Sequence, residues 1–508
     1  MAFGDDQARN LIAIGRIDTG SVRIWCRAER SGVFKLRIRG AKGAFDRTVD
    51  LVIPDAVERD NTACATYPDD FPNEPRLDPI TAYRCDLRSA AGDVVVGEAA
   101  FETAPLGAQD TPESFGVGVI SCHQPFTDGQ GTIPEERLAV LKALPAWFSR
   151  HNVKFVMMVG DQVYADDPGQ FSLFNPLHAQ TVGPSGDIFG WSSEELRAAY
   201  QERYRIFWSP LPWRKLMALG PSHPILDDHE VYDDWGSLAG PEEERRARIV
   251  RAARLAYMDY QGARESAWDG GTLPAAHDYQ FRYGTLAGFV FDLRSERSRD
   301  AGRVVSDEQL ARFETFLARN EDAEALLLVT SVPFVHIPEW LARKGPQFAP
   351  GVDFTDHWSA PHNLADRARI IALLRRHLAR PQLDNQKVVI VGGDVHVGGA
   401  FVLRLVGTGD PVFQLTSSAV SNPVNDPLAR WLAGLGPALF DTFSRTADNT
   451  LEVKLLEARQ GAPGSNPFTG MNAGVVQFQR SSGRTSVRLR LLGATDTGVR
   501  EVFESALL

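Results

Sequence analysis

The stretch MMVGDQVYADD, residues 157 to 167, joins the apolar end of a buried strand to a glycine, an aspartate and a tyrosine. Asp161 follows the strand after Gly160, Tyr164 comes three residues later, and Asp166 and Asp167 stand just behind. In open α/β sheets, ligands bind beyond the carboxyl ends of strands. The stretch therefore indicates either an acidic turn or a place where the chain holds a cation.

The sequence around this stretch alternates buried strands with amphipathic helices from about residue 115 onward, which is an α/β pattern. Ser192 with Glu195 predicts a capping box at the start of one helix, and Ser306 with Gln309 predicts another. The fold class we expect is α/β over residues 109–508.

Residues 11–105 show a different pattern, in which apolar and polar residues alternate in short runs such as SVRIWCRAE and VFKLRIRG. Gly-rich or charged segments separate these runs. They predict a small antiparallel β-sandwich as an N-terminal domain, residues 1–108. Pro105 and the polar segment after it predict the linker to the second domain, 109–508.

The bulk properties exclude several classes of protein. The chain has 508 residues, a net charge of -11 and a pI of about 5.6, which argues against a stable nucleic-acid complex. No apolar run has the length of a membrane-spanning helix, and the start shows no secretory signal. We expect a cytoplasmic protein, or a periplasmic or secreted one if a leader was removed.

Several strands besides the one before Asp161 end in a potential metal ligand. Cys122 follows VGVIS, the sequence DDHE at 227–230 follows HPIL, and Asp394 and His396 follow VVIVGG. One aspartate after a strand is more often a turn former than a ligand. Carboxylates gathered at one edge of a sheet and shielded from water would repel each other by roughly several kcal/mol. Bound multivalent cations relieve that repulsion. The set therefore favours a metal site.

The spacing fits a site for two metals. A bridging carboxylate such as Asp161 can join two cations that lie about 3.5–4 Å apart, as two-metal hydrolases require. His229 stands between carboxylates, where an imidazole titrates near neutral pH, and it suits the role of general acid.

The sequences GDQVY at 160–164, DDHE at 227–230 and GDVH at 393–396, with a cysteine after the first catalytic strand, resemble the PhoD-type alkaline phosphatase family of metallophosphoesterases. FDLRSER and QLTSSAVSN resemble weaker family stretches, and the end of the N-terminal segment resembles that family's fibronectin-like domain. The resemblance implies a fibronectin- or Ig-like β-sandwich followed by a four-layer α/β/β/α metallophosphoesterase domain.

The resemblance also implies the cofactors, which are Fe³⁺ and Ca²⁺, with Mn²⁺, Mg²⁺ or Zn²⁺ as alternatives for the second metal. Cys122 and Tyr164 would bind the iron, and Asp161 would bridge the two metals. His396 would lie on the iron side and Asp394 on the calcium side. In DDHE, Asp228 would take the place of the ligating Asn of other metallophosphoesterases, and His229 that of the catalytic histidine.

The chain departs from the family pattern at a few positions. SCHQPF carries an added neighbour, His123, and DDHEVYDDW carries Asp233 and Asp234 where other members have asparagines. FTDHWSAP resembles a family segment that makes Asp356 either a further metal ligand or a loop-packing residue. His336 either replaces a metal-binding histidine or has a capping or packing role.

Two arginines after the strand GFVFD are candidates for the phosphate, because phosphate needs cationic and preferably bidentate partners. Arg294 is a candidate for substrate binding and catalysis, and Arg297 for substrate binding. The alternative for both is a salt-bridged loop.

The leading hypothesis is a metal-dependent phosphoester hydrolase, an alkaline phosphatase with phosphomonoesterase activity, phosphodiesterase activity or both, using a metal-bound hydroxide as nucleophile. Its partner would be a small phosphate ester, or a phospholipid- or nucleotide-type substrate, and the oligomeric state stays open. One alternative is a non-catalytic adaptor with a degenerate phosphatase domain. The third hypothesis is a zinc peptidase or amidohydrolase; the absence of an HExxH sequence and the carboxylate-rich set, which favours harder cations, argue against it.

Overall fold

The computed structural model of the protein describes residues 9–41, 43–92, 95–128, 131–237, 241–348, 356–383, 385–424, 430, 433–481 and 484–508. Phe354 and Thr355, which begin the segment FTDHWSAP, lie outside the described residues. Within the described part of the chain, no helix is both long enough and apolar enough to cross a membrane.

The N-terminal hundred residues form two antiparallel sheets, as their period-two patterning predicts. The seven strands are β1 Leu11–Ile17, β2 Val22–Arg27, β3 Gly32–Gly40, β4 Asp46–Ile53, β5 Thr62–Tyr67, β6 Ala82–Arg88 and β7 Val95–Glu102. One sheet has the order β1-β2-β5 and the other β4-β3-β6-β7. Strand β4 buries every second residue over its second half, as a strand with one solvated face does.

The rest of the chain builds two mixed sheets, which confirms the α/β class. Their strands are β8 Ser114–Ile120, β9 Val153–Val159, β10 Ser222–Ile225, β11 Tyr279–Tyr283, β12 Leu286–Val290, β13 Ala325–Val329, β14 Lys387–Gly392, β15 Gly399–Leu405, β16 Pro411–Thr416, β17 Ser444–Arg445, β18 Leu451–Leu455, β19 Asn472–Ser481, β20 Arg484–Thr495 and β21 Gly498–Glu504. The first sheet has the order β10-β9-β8-β19-β20-β21 and the second β11-β12-β13-β14-β16-β15-β18-β17. In each sheet the strands that carry polar ends run parallel, β10, β9 and β8 in the first and β12, β13, β14 and β16 in the second.

The helices lie between these strands in the chain. They are α1 Ala139–Arg150, α2 Pro176–Val182, α3 Ser193–Phe207, α4 Leu211–Leu219, α5 Pro241–Tyr260, α6 Asp307–Arg319, α7 Glu339–Phe348, α8 Leu364–Leu378 and α9 Gly436–Leu439. The capping box of Ser192 and Glu195 is confirmed at the start of α3. At α6, Ser306 accepts from the backbone of Gln309 as predicted, but the Gln309 side chain pairs with the backbone of Asp292 instead, at 2.9 and 3.0 Å. A helix cap is thereby tied to the end of strand β12.

Three clusters of buried side chains make up the core. One joins residues of β8, β9, β19 and β20 with residues of β13, β14 and β16, so it lies between the two large sheets, and it continues into the N-terminal sheets. A second packs α1, α3 and α5 together, and a third packs α6 and α8 against the second sheet. Strands covered on both faces must be apolar throughout, which explains why Ala325–Val329 reads ALLLV and is buried at every position.

The N-terminal sheets are joined to the rest of the chain by polar contacts as well as by the shared core. Trp25 Nε1 donates to the backbone oxygen of Asp259 in α5 at 2.7 Å, and Ile14 forms a parallel bridge with Pro221 before β10. The N-terminal sheets are therefore packed against α5 and the segment before β10.

Candidate metal centre

The two parallel sets of strands end at the same place, because backbone hydrogen bonds join the segments that follow them. Cys122 N donates to Gly160 O at 3.2 Å, and Gly393 N donates to Ser331 O at 2.7 Å. Across the two sheets, Ser121 Oγ donates to Ser417 O at 2.9 Å. A further bond, from Ser417 N to Gly392 O at 2.9 Å, links the end of β14 to the segment after β16, so the segments after β8, β9, β13, β14 and β16 are joined before any ion is considered.

Four candidate ligands have left-handed backbone conformations at these strand ends. The φ angle is +55° at Cys122, +57° at Asp161, +63° at Asp394 and +54° at His396. Few residues other than glycine adopt this region, and it is concentrated at functional sites where the surroundings enforce it. Each strand therefore ends in a sharp turn that aims one side chain toward the others.

The thiol, one carboxylate and one imidazole form the first group of donor atoms. Cys122 Sγ lies 3.3 Å from Asp161 Oδ2, and Tyr164 OH lies 3.4 Å from the same oxygen and 3.3 Å from His396 Nε2. One donor atom each of Cys122, Asp161 and His396 lies within 4.8 Å of the others. The structure thus brings together the four residues that the resemblance implies for iron.

The carboxylates form a second group around the same Asp161. Donor atoms of Asp161, Asp227, Asp228 and Asp394 lie within 4.8 Å of one another, and Asp161, Asp228 and His229 form a further such set. Oδ1 of Asp161 and Oδ2 of Asp227 are buried and accept no hydrogen bond from the described residues. Buried carboxylate oxygens without donors are costly unless they bind a cation, so the donor set fits metal ions.

Burial in this cluster opposes ionisation of the ligands. Burial raises the pKa of Asp161 well above its ordinary value and that of Asp227 to about 6. Burial, with the charge of Asp227 adding to it, also raises the pKa of Asp394. Burial and the Asp161 carboxylate raise the pKa of the Cys122 thiol. Such a cluster is stable in its ionised form only when positive charge is placed among the oxygens.

His229 is held by a carboxylate that the sequence left without a role. Its Nδ1 donates to Asp166 Oδ1 at 2.7 Å, and its Nε2 lies 3.8 Å from Asp233 Oδ1. Burial alone would lower the pKa of His229, but the carboxylates of Asp166 and Asp228 outweigh burial and hold the pKa well above its ordinary value. Because Asp166 occupies Nδ1, the ring presents Nε2 as its other polar atom.

Arg294 is buried and paired with three carboxylates. It donates bidentately to Asp356, at 2.9 and 2.6 Å, it pairs with Asp227, and it lies 3.3 Å from Asp228 Oδ1. Arg297 also pairs with Asp356, at 2.6 Å. Asp356 lies outside the groups of donor atoms described above, and these arginines hold the pKa of Asp356 below its ordinary range although burial opposes this. The structure places both arginines beside the carboxylates, with Asp356 between them.

Glu230 anchors the backbone of the ligand segments rather than facing an ion. Its carboxylate accepts from Asp161 N at 3.0 Å, from Gln162 N at 2.7 Å and from Asp227 N at 2.8 Å. Burial raises the pKa of Glu230 to about 7. The side chain therefore ties the segment after β9 to the segment after β10, and with it two of the carboxylates.

Two neutral residues after β16 support the group of Cys122, Asp161, Tyr164 and His396, and the sequence did not identify them as site residues. Ser418 Oγ lies 3.0 Å from Cys122 Sγ and accepts from His396 N at 2.9 Å, and Asn422 Nδ2 lies 3.4 Å from His396 Nε2. Both stand in QLTSSAVSN, so the family resemblance of that stretch was the available signal. Because serine and asparagine are uncharged and common in loops, the sequence alone gave no reason to assign them to the site.

The two histidines left open by the sequence have different surroundings. His123 stacks on Trp213 with ring centres 4.0 Å apart, and its ring nitrogens contact Ser421 Oγ at 2.9 Å and Phe207 O at 2.8 Å. These contacts account for His123 as a packing residue. His336 lines the pocket beside His357, with ring centres 5.6 Å apart, and burial lowers the pKa of His336 to about 3.

The candidate metal centre opens into a pocket of about 590 Å³. Its lining includes the polar residues Tyr164, Asp228, His229, Asp394 and His396, together with apolar side chains. A concave site with a few convergent polar groups is the arrangement expected for a small-molecule substrate.

Comparison with known proteins identifies a family and a shared fold. The family model described as PhoD-like phosphatase matches residues 121–429. The solved structure titled "Structure of PhoD" superposes with a TM-score of 0.63 at 14% identity, covering 97% of this chain and 92% of that one. At this identity the superposition establishes a shared fold.

Other solved structures match too weakly to support an argument. A fibronectin type III domain of human collagen XX has a TM-score of 0.14 at 16% identity, covering 18% of this chain and 85% of that domain. A β-glucuronidase of Faecalibacterium prausnitzii has a TM-score of 0.23 at 12% identity, covering 74% of this chain and 58% of that one. No curated protein sequence matches the chain.

Proposed function

The chain belongs to the PhoD-like phosphatase family, and from that premise we propose that it hydrolyses phosphomonoesters, phosphodiesters or both with the help of two metal ions. The observation that carries the proposal is the position of Asp161, which shares one set of donor atoms with Cys122 and His396 and another with Asp227, Asp228 and Asp394. A carboxylate placed between two donor sets suits a pair of cations.

The chemistry of each donor set suggests the metal that it would hold. Cys122, Tyr164, Asp161 and His396 combine thiolate, phenolate, carboxylate and imidazole, and we assign them to Fe³⁺. The all-oxygen set of Asp161, Asp228 and Asp394 fits a hard divalent cation, Ca²⁺ first and Mn²⁺, Mg²⁺ or Zn²⁺ as alternatives. Asp227 belongs to the same oxygen set. When bound, such cations polarise phosphoryl oxygens and lower the pKa of a water, which supplies the nucleophile.

His229 is proposed to protonate the leaving oxygen. Its ring centre lies 4.1 Å from that of Tyr164, and both residues line the pocket. Asp166 lies 2.7 Å from Nδ1, which fixes the orientation of the ring and leaves Nε2 to donate a proton to the substrate. A histidine paired with a carboxylate in this way donates its proton in a defined direction.

Arg294 is proposed to balance charge beside the second metal and Asp356 to hold that arginine in place. This role is supported by the engagement of Arg294 with three carboxylates and by its exposure of 1%. Direct binding of phosphate by Arg294 would require one of these pairs to open. Arg297, 5% exposed and also bound to Asp356, is proposed to act with it.

The architecture is proposed to follow the family resemblance in detail. Residues 1–108 would form a fibronectin-like sandwich from the two N-terminal sheets, and residues 109–508 a four-layer α/β/β/α domain. Shared burial between the two large sheets and helices packed on their outer sides support this layering.

The experiment that tests the function compares wild type with His229→Ala on nitrophenyl phosphate and on bis-nitrophenyl phosphate. Loss of a general acid is expected to lower kcat by about 10²- to 10⁴-fold. The loss should be greater for esters of alkyl alcohols than for nitrophenyl esters, because an alkoxide needs the proton more. The ratio of diester to monoester turnover defines the substrate class. No turnover of either ester by the metal-supplemented wild type would favour the adaptor alternative.

A further inference from the structure

The N-terminal sheets lie against the last residues of helix α5 and the residues that follow it, 259–266, a stretch that we call the α5 end. Arg23 of β2 donates from Nε to the backbone oxygen of Ala263 at 2.8 Å. A Cβ at Gly15 of β1 would lie 2.5 Å from the backbone oxygen of Arg264, so only a glycine fits there without a shift. Strands β1 and β2 therefore fix the backbone of the α5 end.

One carboxylate of the N-terminal sheets joins them to helices α3 and α5. Asp60, just before β5, accepts from Arg27 of β2 at 3.0 and 2.9 Å and from Arg205 of α3 at 2.6 Å. It also accepts from the hydroxyl of Tyr260, the last residue of α5. The carboxylate thus ties an N-terminal strand, one helix and the α5 end to a single, largely buried point.

Aromatic side chains continue this contact toward the candidate ligands. Tyr260 stacks on Tyr204 with ring centres 4.6 Å apart, and Trp25 of β2 packs edge to face on Trp208 at 5.9 Å. Trp208 Nε1 donates to Gln162 O at 3.2 Å, and Gln162 directly follows the candidate bridging aspartate. A side chain of the N-terminal sheets is therefore two contacts away from the segment that carries this aspartate.

Gln261, the first residue after α5, makes a second connection to the site. Its Nε2 donates to Glu230 Oε1 at 3.1 Å and to Tyr204 OH at 3.2 Å. Glu230 is the carboxylate that accepts from backbone N–H groups of the segments after β9 and β10. A shift of the α5 end would therefore move Glu230 and, with it, two segments that carry candidate ligands.

These contacts are shielded from water, since Trp25, Trp208, Tyr260 and Gln261 are all fully buried. A buried hydrogen bond that opens is not replaced by one to water, so the partners resist displacement. Metal affinity depends in turn on the residues behind the ligands, because losing such a partner typically costs about 10- to 100-fold in affinity.

We propose that the N-terminal sheets position the candidate metal ligands through the α5 end. Asp60 and Trp25 hold the α5 end in place. Gln261 transmits that position to Glu230, and Glu230 transmits it to the ligand segments. The inference rests on the proposed function and gives the N-terminal sheets a part in it, whereas sheets that served only as a separate binding module would not affect the metal centre.

The test measures the affinity of the full-length protein for Ca²⁺ and for Mn²⁺, each alone, by calorimetry after removal of divalent cations. Gln261→Met keeps the size of the side chain and removes the amide, and we expect it to weaken cation binding by about tenfold. Gln477→Met is the matched control and should keep the wild-type affinity. Gln477 is also buried, but it donates to Ser114 Oγ, at 2.9 Å, where β8 begins rather than where it meets the site.

A second pair of variants assigns the effect to the N-terminal sheets. Tyr260→Phe removes the hydroxyl bound to Asp60 and keeps the ring that stacks on Tyr204. We expect it to weaken cation binding by about threefold or more. Tyr67→Phe removes a hydroxyl that donates to Glu74 Oε2 at 3.0 Å within the N-terminal domain, and it should keep the wild-type affinity. Wild-type affinity in Tyr260→Phe would overturn the inference.

The remaining outcomes separate positioning from general stability and from failure of the proposed function. Because Tyr260 acts through the α5 end, adding Tyr260→Phe to Gln261→Met should cost less affinity than it costs in the wild type. Losses that multiply, or a loss that Gln477→Met and Tyr67→Phe share, would overturn the inference and leave the hydrolase standing. A wild-type protein that binds neither Ca²⁺ nor Mn²⁺ would contradict the proposed function as well.

Discussion

Asp166 Oδ1 lies 2.7 Å from Nδ1 of His229, although the two residues are 63 positions apart and follow different strands. The carboxylate and the imidazole are both half-buried, and their contact fixes which nitrogen faces the pocket. Removing its charge should therefore affect the chemical step more than substrate binding.

We expect Asp166→Asn to lower kcat on an alkyl-leaving ester by about 10- to 100-fold with KM changed by less than about threefold. Steady-state kinetics of Asp166→Asn, of His229→Ala and of the double variant check this. Because Asp166 acts through His229, adding Asp166→Asn to His229→Ala should cost little more. Independent, multiplying losses in the double variant would refute the pairing.

Glu230 should matter for folding and metal binding together, since it accepts from three backbone N–H groups of the ligand segments. Glu230→Gln places an NH₂ group against at least one of those donors. We expect the free energy of unfolding to fall by about 2–4 kcal/mol, with reduced metal content. Chemical denaturation and elemental analysis measure the two effects. The exposed Glu135→Gln is the control and should leave both unchanged.

Gly160 should tolerate no side chain. Its φ is +96°, and a Cβ would lie 2.5 Å from Cβ of Asp227. Gly160→Ala should therefore displace the carboxylates after β9 and β10, lowering the free energy of unfolding by about 2 kcal/mol and weakening metal binding. Gly220→Ala is the matched control, because its Cβ would meet Lys154 O at an ordinary 3.9 Å. Wild-type stability in Gly160→Ala would show that the strand end is less constrained than described.

Stability in acid should depend on Glu501, which lies in β21 and accepts from Trp147 Nε1 at 2.8 Å and contacts His151 Nε2 at 2.6 Å. The hydrogen bond from His151 lowers the pKa of Glu501 to about 2. A depressed acid pKa stabilises the fold above the ordinary value near 4.5, and this stabilisation is lost as pH falls from there toward 2.

We expect Glu501→Gln to lower the free energy of unfolding by about 1 kcal/mol at pH 7, a value discounted for the partial exposure of the group. The difference from wild type should shrink toward zero as the pH falls to 2. Urea titrations at several pH values measure it. A difference that stays constant from pH 7 to 2 would refute the role of the ionised carboxylate.

The sequence could predict those site residues that are potential metal ligands and directly follow an apolar strand. Cys122, Asp161 and His396 each follow an apolar strand, so their convergence follows from parallel strands sharing an edge. The α/β class followed from the same alternation of strands and helices.

The remaining parts depend on contacts that no local pattern encodes. The Gln309 side chain looked like half of a capping box, but the backbone of Asp292 offered it two hydrogen bonds in a buried place. Arg294 followed a strand as a phosphate binder would, yet its partners Asp227 and Asp356 come from segments far apart in the chain. Tertiary partners of this kind decide a side chain's role and cannot be deduced from spacing.

The measurement that tests the metal centre most directly is the iron content and visible absorption of the purified protein. Elemental analysis should find about one iron per chain, and thiolate or phenolate bound to Fe³⁺ should give a visible band. Cys122→Ala and Tyr164→Phe should shift or remove that band and lower turnover, while Cys85→Ala, a buried cysteine of the N-terminal sheet, should leave both unchanged. A colourless, iron-free protein with full activity would contradict the assignment of Cys122, Asp161, Tyr164 and His396 to iron.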